Sequence, residues 1–344
     1  MRKLLTLAIS VLATTMYLAC SDDEPTTKTK IWDGTADLSW YEESVAASST
    51  RGQLARRESA TTFTISTPEQ LAGLAIIVND GIDDFSGKTL RMVNNFNLNK
   101  LQWIAIGTET NRFKGTFDGQ GHTISKLRIY RPDANHQGLF GFADKAKFTN
   151  SKISDASVIG DNFVGTLVGR SDFGGTILNS SARNVSVEAL SWSAGGLAGQ
   201  VLREGNMENC FVDGAIVKSG VRGGGLLGCL ANGSTLSNSY AVNVEVIGRG
   251  DNFGVIVGSI DVCKITNCYA IGKVNTQSNQ VGGLGWNSVS SAIITNSFHS
   301  AEVNGKKSGL DLSEMKKQET FVGWDFSRIW QISPNRNNGF PTLR

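Results

Sequence analysis

Short apolar runs recur along this chain at a nearly fixed interval, each bounded by glycine, asparagine or serine. The first run is Gly-x-Leu-x-Gly or a close variant. It reads Gly138-Leu139-Phe140-Gly141, Gly165-Thr166-Leu167-Val168-Gly169, Gly195-Gly196-Leu197-Ala198-Gly199 and Gly224-Gly225-Leu226-Leu227-Gly228. Gly254-Val255-Ile256-Val257-Gly258 and Gly282-Gly283-Leu284-Gly285 complete the set. Its central residues are Leu139, Leu167, Leu197, Leu226, Ile256 and Leu284, spaced by 28, 30, 29, 30 and 28 residues. A second run, as in Ile177-Leu178-Asn179-Ser180, places Asn150, Asn179, Asn209, Asn238, Asn267 and Asn296 at steps of 29, 30, 29, 29 and 29. A third, weaker run follows each, as in Val185-Ser186-Val187 and Val244-Glu245-Val246.

No stretch between these anchors carries a helical period of useful length. Three short strands per 29 or so residues, repeated in register, predict an all-β fold: a right-handed parallel β-helix with three-strand coils. Each strand pairs with its equivalent in the next coil, so the central aliphatic residues become one stacked inward ladder. The asparagine column reads as a structural corner, its side chains bonding to backbone and to one another, and not as a ligand site. Trp286 stands two residues after Leu284, the offset at which Gly141, Gly169, Gly199, Gly228 and Gly258 follow the ladder or close it. The last coil is therefore atypical, as terminal repeats are.

Open coil ends expose strand edges and core, so both ends need covers. Thr67-Pro68-Glu69-Gln70 is a helix start, with Thr at the N-cap and Pro at the first helical position. Leu71, Leu74, Ala75 and Val78 then give that helix one apolar face. Residues 61–134 thus read as a capping helix and the first coils, and residues 135–310 as the repeat array. Residues 311–344, with Phe321, Trp324, Phe326, Ile329, Trp330 and Ile332, read as an aromatic-rich cap over the last coil, with Ser313 capping a short helix through Glu319.

Composition sharpens this picture. Against 39 glycines there are only 5 prolines, which fits frequent tight turns and not a disordered tail. Met1-Arg2-Lys3 followed by apolar residues 4–19 reads as an export signal. Without Arg2 and Lys3 the charges balance at 31 basic and 31 acidic residues, so no nucleic-acid footprint is expected. Cys210 and Cys268 share one repeat position two coils apart. That is about 10 Å in a stacked solenoid, beyond disulfide reach. Cys210, Cys229, Cys263 and Cys268 are therefore expected as buried free thiols.

Tyr17-Leu18-Ala19-Cys20 resembles the lipobox of bacterial lipoproteins, although the family prefers Leu where Tyr17 stands. The resemblance implies removal of residues 1–19 and acylation of Cys20, with an outer-membrane anchor as partner. Ser21-Asp22-Asp23-Glu24 resembles the surface-export signal of Bacteroidetes lipoproteins, with residues 20–60 as anchor, tether and loosely ordered lead-in. The two anchors over residues 138–305 resemble the GLUG repeat of bacterial surface proteins, also found beside the peptidase domain of some immunoglobulin A proteases. Together these imply a GLUG-repeat surface lipoprotein at the outer membrane.

Enzymatic readings find little support. Phe117-Asp118-Gly119-Gln120-Gly121-His122 resembles a polygalacturonase segment, but His122 is followed by Thr where that family has Gly. Glycoside hydrolysis needs two carboxylates facing one bond, and Asp83-Asp84 is the one adjacent pair after the tether, placed before the coils. Asp118 and His122 read as turn residues. No His-Glu-x-x-His, Gly-x-Ser-x-Gly or phosphate-binding loop occurs, so no metal, cofactor or catalytic residue is expected. Trp192 is the one candidate ligand contact, placed at a turn where other coils carry Asn162, Val221, Asp251 and Asn279. The expected role is non-catalytic adhesion to a host or dietary glycan or a host protein. The alternatives are a polysaccharide lyase or hydrolase, and a structural stalk or subunit of a surface assembly.

Overall fold

A computed structural model describes residues 28–43, 61–287 and 291–344. Cys20, its acidic run and most of the lead-in lie outside the described residues. The remainder is a solenoid of parallel sheets about 29 residues per turn. A nine-stranded sheet stacks three- and four-residue strands whose inward residues are Phe63, Leu90, Phe117, Phe148, Ile177, Met207, Leu236, Ile265 and Ile294. In most of them the inward residue is buried between two more exposed neighbours, the alternation that makes a strand. A twelve-stranded sheet forms the long wall, and a six-stranded sheet the third.

The coils contain more than three strands. Ser193–Gly195, Arg222–Gly224, Phe253–Gly254 and Val281–Gly282 form a short fourth ladder just before the six-stranded sheet. The Gly-x-Leu-x-Gly run is the fold-back between these two sheets. The third sequence run is likewise the outer half of one long strand. In Ser181–Ala189 the alternation breaks at Asn184, whose φ of 53° bends the strand. Asp155, Gly214 and Asn243 take the same left-handed conformation in neighbouring coils, so the long wall has a continuous elbow.

Leu139, Leu167, Leu197, Leu226 and Ile256 are fully buried, whereas Leu284 is only half-buried. Trp286 does not stand in the glycine column. It pairs with Ser259, so Gly285 stands opposite Gly258 and continues the glycine column. The last fold-back is one residue shorter, so counting forward from Leu284 slips by one.

Helix Pro68–Asn79 starts as its sequence predicts: the Thr67 side chain accepts from the Gln70 amide, and Gln70 Oε1 accepts from the Ser66 amide at 2.8 Å. Its buried Leu71, Leu74, Ala75 and Val78 join one continuous core with the first coils. Trp40 packs edge-on to Phe63 and stacks on Phe85 in the same region.

The C-terminal segment packs on the outer face of the long wall, last coil included, where Phe321 lies 5.3 Å from Phe298 and Trp324 Nε1 donates to the Asn296 carbonyl, and it leaves the inward Leu284 and Ile294 of that coil part-exposed. Phe211, Tyr240, Tyr269 and Phe298 stand in one outward column of the long wall, with the first two rings stacked at 4.8 Å and the next pair at 5.1 Å. Trp330, Trp324, Phe321, Met315 and Phe340 bury that stripe, and Asn337 and Pro341 hydrogen-bond the Tyr269 hydroxyl. An external aromatic stripe needs cover as much as an open end does, and it outcompetes the end. Residues Glu314–Lys316 and Gln318–Thr320 are separate 3-10 turns, and Ser313 makes no side-chain cap because its backbone is already helical. The antiparallel strand Lys306–Gly309 closes the long wall's edge. Ile294, however, is 39% exposed, where the eight inward residues before it are buried.

Candidate binding surfaces

The asparagine column forms a corner between the nine-stranded sheet and the long wall. All six residues take positive φ, between 47° and 53°, a conformation that asparagine tolerates better than most residues. Asn179 Nδ2 donates to Asn150 Oδ1 at 3.3 Å, Asn209 to Asn179 at 3.1 Å, and Asn267 to Asn238 at 3.3 Å. Asn150 donates in turn to Asp118, and Asn238 to Glu208. The next residue is always Ser or Cys. Its Oγ or Sγ bonds the carbonyl two residues back, as in Ser180 to Leu178 at 2.8 Å and Cys210 to Glu208 at 3.2 Å. Ser239 Oγ also accepts the Cys210 amide of the preceding coil at 3.0 Å. Cys210, Cys229, Cys263 and Cys268 are free and buried, and burial pushes the thiols of Cys210, Cys263 and Cys268 up to about 12.

Asp118 accepts from the amide of Gln120 and from Asn150 at 3.0 Å. Burial raises its pKa, but these bonds outweigh it and hold the carboxyl below the usual range. Asp83 is engaged by Lys88 and by the Tyr41 hydroxyl, and Asp84 by Lys114.

His136 lies between Phe142 and Phe163, with ring centroids 4.7 and 5.0 Å away. Burial, with Arg170 and Arg112 nearby, lowers its pKa to about 4. Glu109 is 3.4 Å from Nε2 but faces solvent, so its screened charge does not offset burial. A neutral folded imidazole contributes stability above the unfolded pKa of about 6.5, and that contribution falls as pH drops toward 4. The loss is about 2–3 kcal/mol. Urea melts at pH 7.5 and pH 4 are expected to show it, with a smaller fall in His136→Phe. Equal falls in both proteins would refute the assignment.

Trp192 sits at the corner after the long wall, 38% exposed, and the Arg222 guanidinium lies 5.0 Å from its ring centroid. A concavity of the surface lies elsewhere in the fold. That concavity is a groove of about 990 Å³ along the elbow of the long wall. Asp155, Asn184 and Asn243 line it at the elbow, with Ser186, Glu245 and Lys273 beyond, and residues 310–312 wall one side. Ile216, 45% exposed, lies within it. From Asp155 to Ala301 it crosses about 24 Å at ordinary strand spacing. Its one sequence signal is the 29- or 30-residue recurrence of Asp155, Asn184, Gly214 and Asn243. Among the described residues no cluster of His, Cys, Asp and Glu has metal-binding geometry, and no helix is long and apolar enough to cross a membrane.

No protein-family model matches the chain. Over 94 residues, 27% of this chain, it is 42% identical to halomucin of Haloquadratum walsbyi, and the match spans 1% of that protein. Among solved structures it is similar to a candidate immunoglobulin A1 protease from Bacteroides ovatus. That likeness covers 83% of this chain and 95% of the other, at 19% identity and a TM-score of 0.49.

Proposed function

We propose that this chain is a GLUG-repeat surface lipoprotein, held at the outer membrane through Cys20, whose β-helix binds an extended glycan or polypeptide without catalysis. The groove along the long wall supports this reading. It offers an extended chain about 24 Å of contact, with polar side chains along its length and an apolar floor at Ile216. Such a linear face suits a polymer better than a compact metabolite.

A glycan array and a panel of extracellular-matrix proteins, probed with the purified chain, test it. Ile216→Arg is expected to weaken specific binding about tenfold or more, equivalent to about 1.4 kcal/mol, with no change in thermal midpoint. Binding indifferent to Ile216→Arg, or no binding at all, counts against the groove. In cells, Cys20→Ser is expected to move the protein out of the membrane fraction. The last rung, with Leu284 half-buried and Ile294 exposed, favours a second reading, a stalk or subunit of a surface assembly.

A further inference from the structure

Arg222 differs from the other half-buried arginines of the solenoid. Arg112 is bridged to Glu109 at 3.5 Å and Arg170 to Asp172 at 2.8 Å. Arg222 forms no ion pair among the described residues. Its Nη1 reaches the Cys229 Sγ at 3.6 Å, a weak acceptor. Its Nε is sealed from solvent and has no acceptor. Asp261 is the acid whose charge reaches Cys229, but it lies beyond ion-pair distance of the guanidinium. In the next coil Asn252, which precedes the Phe253 paired with Gly223, has an Oδ1 that is also buried without a donor.

A guanidinium partly withdrawn from water without a counter-charge is costly. Here it is held beside an exposed indole, on a corner away from the groove. With Nε sealed, the terminal N–H donors of the guanidinium suit a carboxylate, and the indole offers an apolar ring face. We infer that Trp192 and Arg222 form a second binding contact, for a sugar ring that carries a carboxylate. The indole packs on the ring and the guanidinium takes the carboxylate. This goes beyond the groove reading, because the contact lies on another face and has its own ligand chemistry.

Titration calorimetry of the purified chain with galacturonate oligosaccharides and with galactose oligosaccharides of the same length isolates the carboxylate. The acidic ligand is expected to bind about tenfold more tightly, with the preference shrinking as salt rises. Arg222→Gln should erase the preference, Arg222→Lys should keep part of it, and Trp192→Ala should weaken both ligands. Equal affinity for the two ligands in the parent chain, or a preference that survives Arg222→Gln, overturns the inference. Binding of neither oligosaccharide overturns it while leaving the groove free to hold another polymer. Thermal midpoints of the Arg222 variants, expected within a few degrees of the parent, separate lost recognition from lost fold.

Discussion

Gly199→Val is expected to yield no folded solenoid, and Gly199→Ala to cost about 3 kcal/mol. A Cβ at Gly199 would stand 2.4 Å from the Gly169 carbonyl oxygen and 2.6 Å from the Val164 amide nitrogen. Both are backbone atoms, so no side chain can swing aside. The conflict repeats up the stack: a Cβ at Gly228 would meet Gly199 O at 2.6 Å, and one at Gly258 would meet Gly228 O at 2.5 Å. None of these glycines has a positive φ. Their role is to leave space where the chain folds back between the short ladder and the six-stranded sheet. One methyl there pushes two coils apart, and each coil is stabilised chiefly by its neighbours. Gly174 gives the contrast. Its φ is +82°, but nothing lies within 4 Å of an added Cβ, so Gly174→Ala should cost only about 1 kcal/mol of backbone strain. Urea unfolding of the two alanine variants side by side decides the matter. Equal losses would mean that conformation, not crowding, fixes the repeat's glycines.

The period was legible because stacking makes every coil meet the same constraints at the same position. That constraint acts most strongly on Leu226, the glycines beside it and the left-handed Asn209, so those columns stand out first. Elements without a repeating hydrophobic signal were harder to read. Arg222–Gly224 is a strand of three residues with two glycines, too short to show alternation. The bend at Asn184 interrupts the period of two, so one strand reads as two. The apolar density of Trp324 and Trp330 foretold burial but not its place. The receiving stripe was nonetheless written in the sequence: Phe211, Tyr240, Tyr269 and Phe298 recur every 29 residues. An outward aromatic column at the repeat period implies a cover from elsewhere in the chain. Trp192 was legible as a lone indole at a turn. Its partner Arg222 was not, because that pairing depends on the register between neighbouring coils. The groove combines the elbow with a wall from residues 310–312, and no local pattern links the two.

Leu226→Ala is expected to cost about 2–5 kcal/mol, and Leu284→Ala less than about 1 kcal/mol. The two leucines belong to one ladder. Leu226 is fully buried between the rungs of Leu197 and Ile256, so truncation leaves a cavity that coils stacked on both sides cannot collapse. Leu284 is the final rung, half-buried, with no coil beyond it among the described residues. Water already reaches one side, so truncation removes less buried area and leaves no closed void. The nine-stranded sheet repeats the comparison: Ile265 is fully buried and Ile294 is 39% exposed, so Ile265→Ala should cost far more than Ile294→Ala. Denaturant midpoints for the four variants, each measured at two protein concentrations, test the gradient. Equal losses at both rungs would mean that the last coil is covered in solution. A Leu284→Ala loss that grows with protein concentration would identify the cover as another copy of the chain, because association stabilises by mass action. A loss independent of concentration would assign the cover to the chain's own residues. A gradient as predicted leaves the last coil open, with strand edges at Ile293–Thr295 and Trp286–Asn287 that no strand among the described residues pairs. Such edges accept a further strand, so the same measurement bears directly on whether the protein acts alone or as a subunit of an assembly.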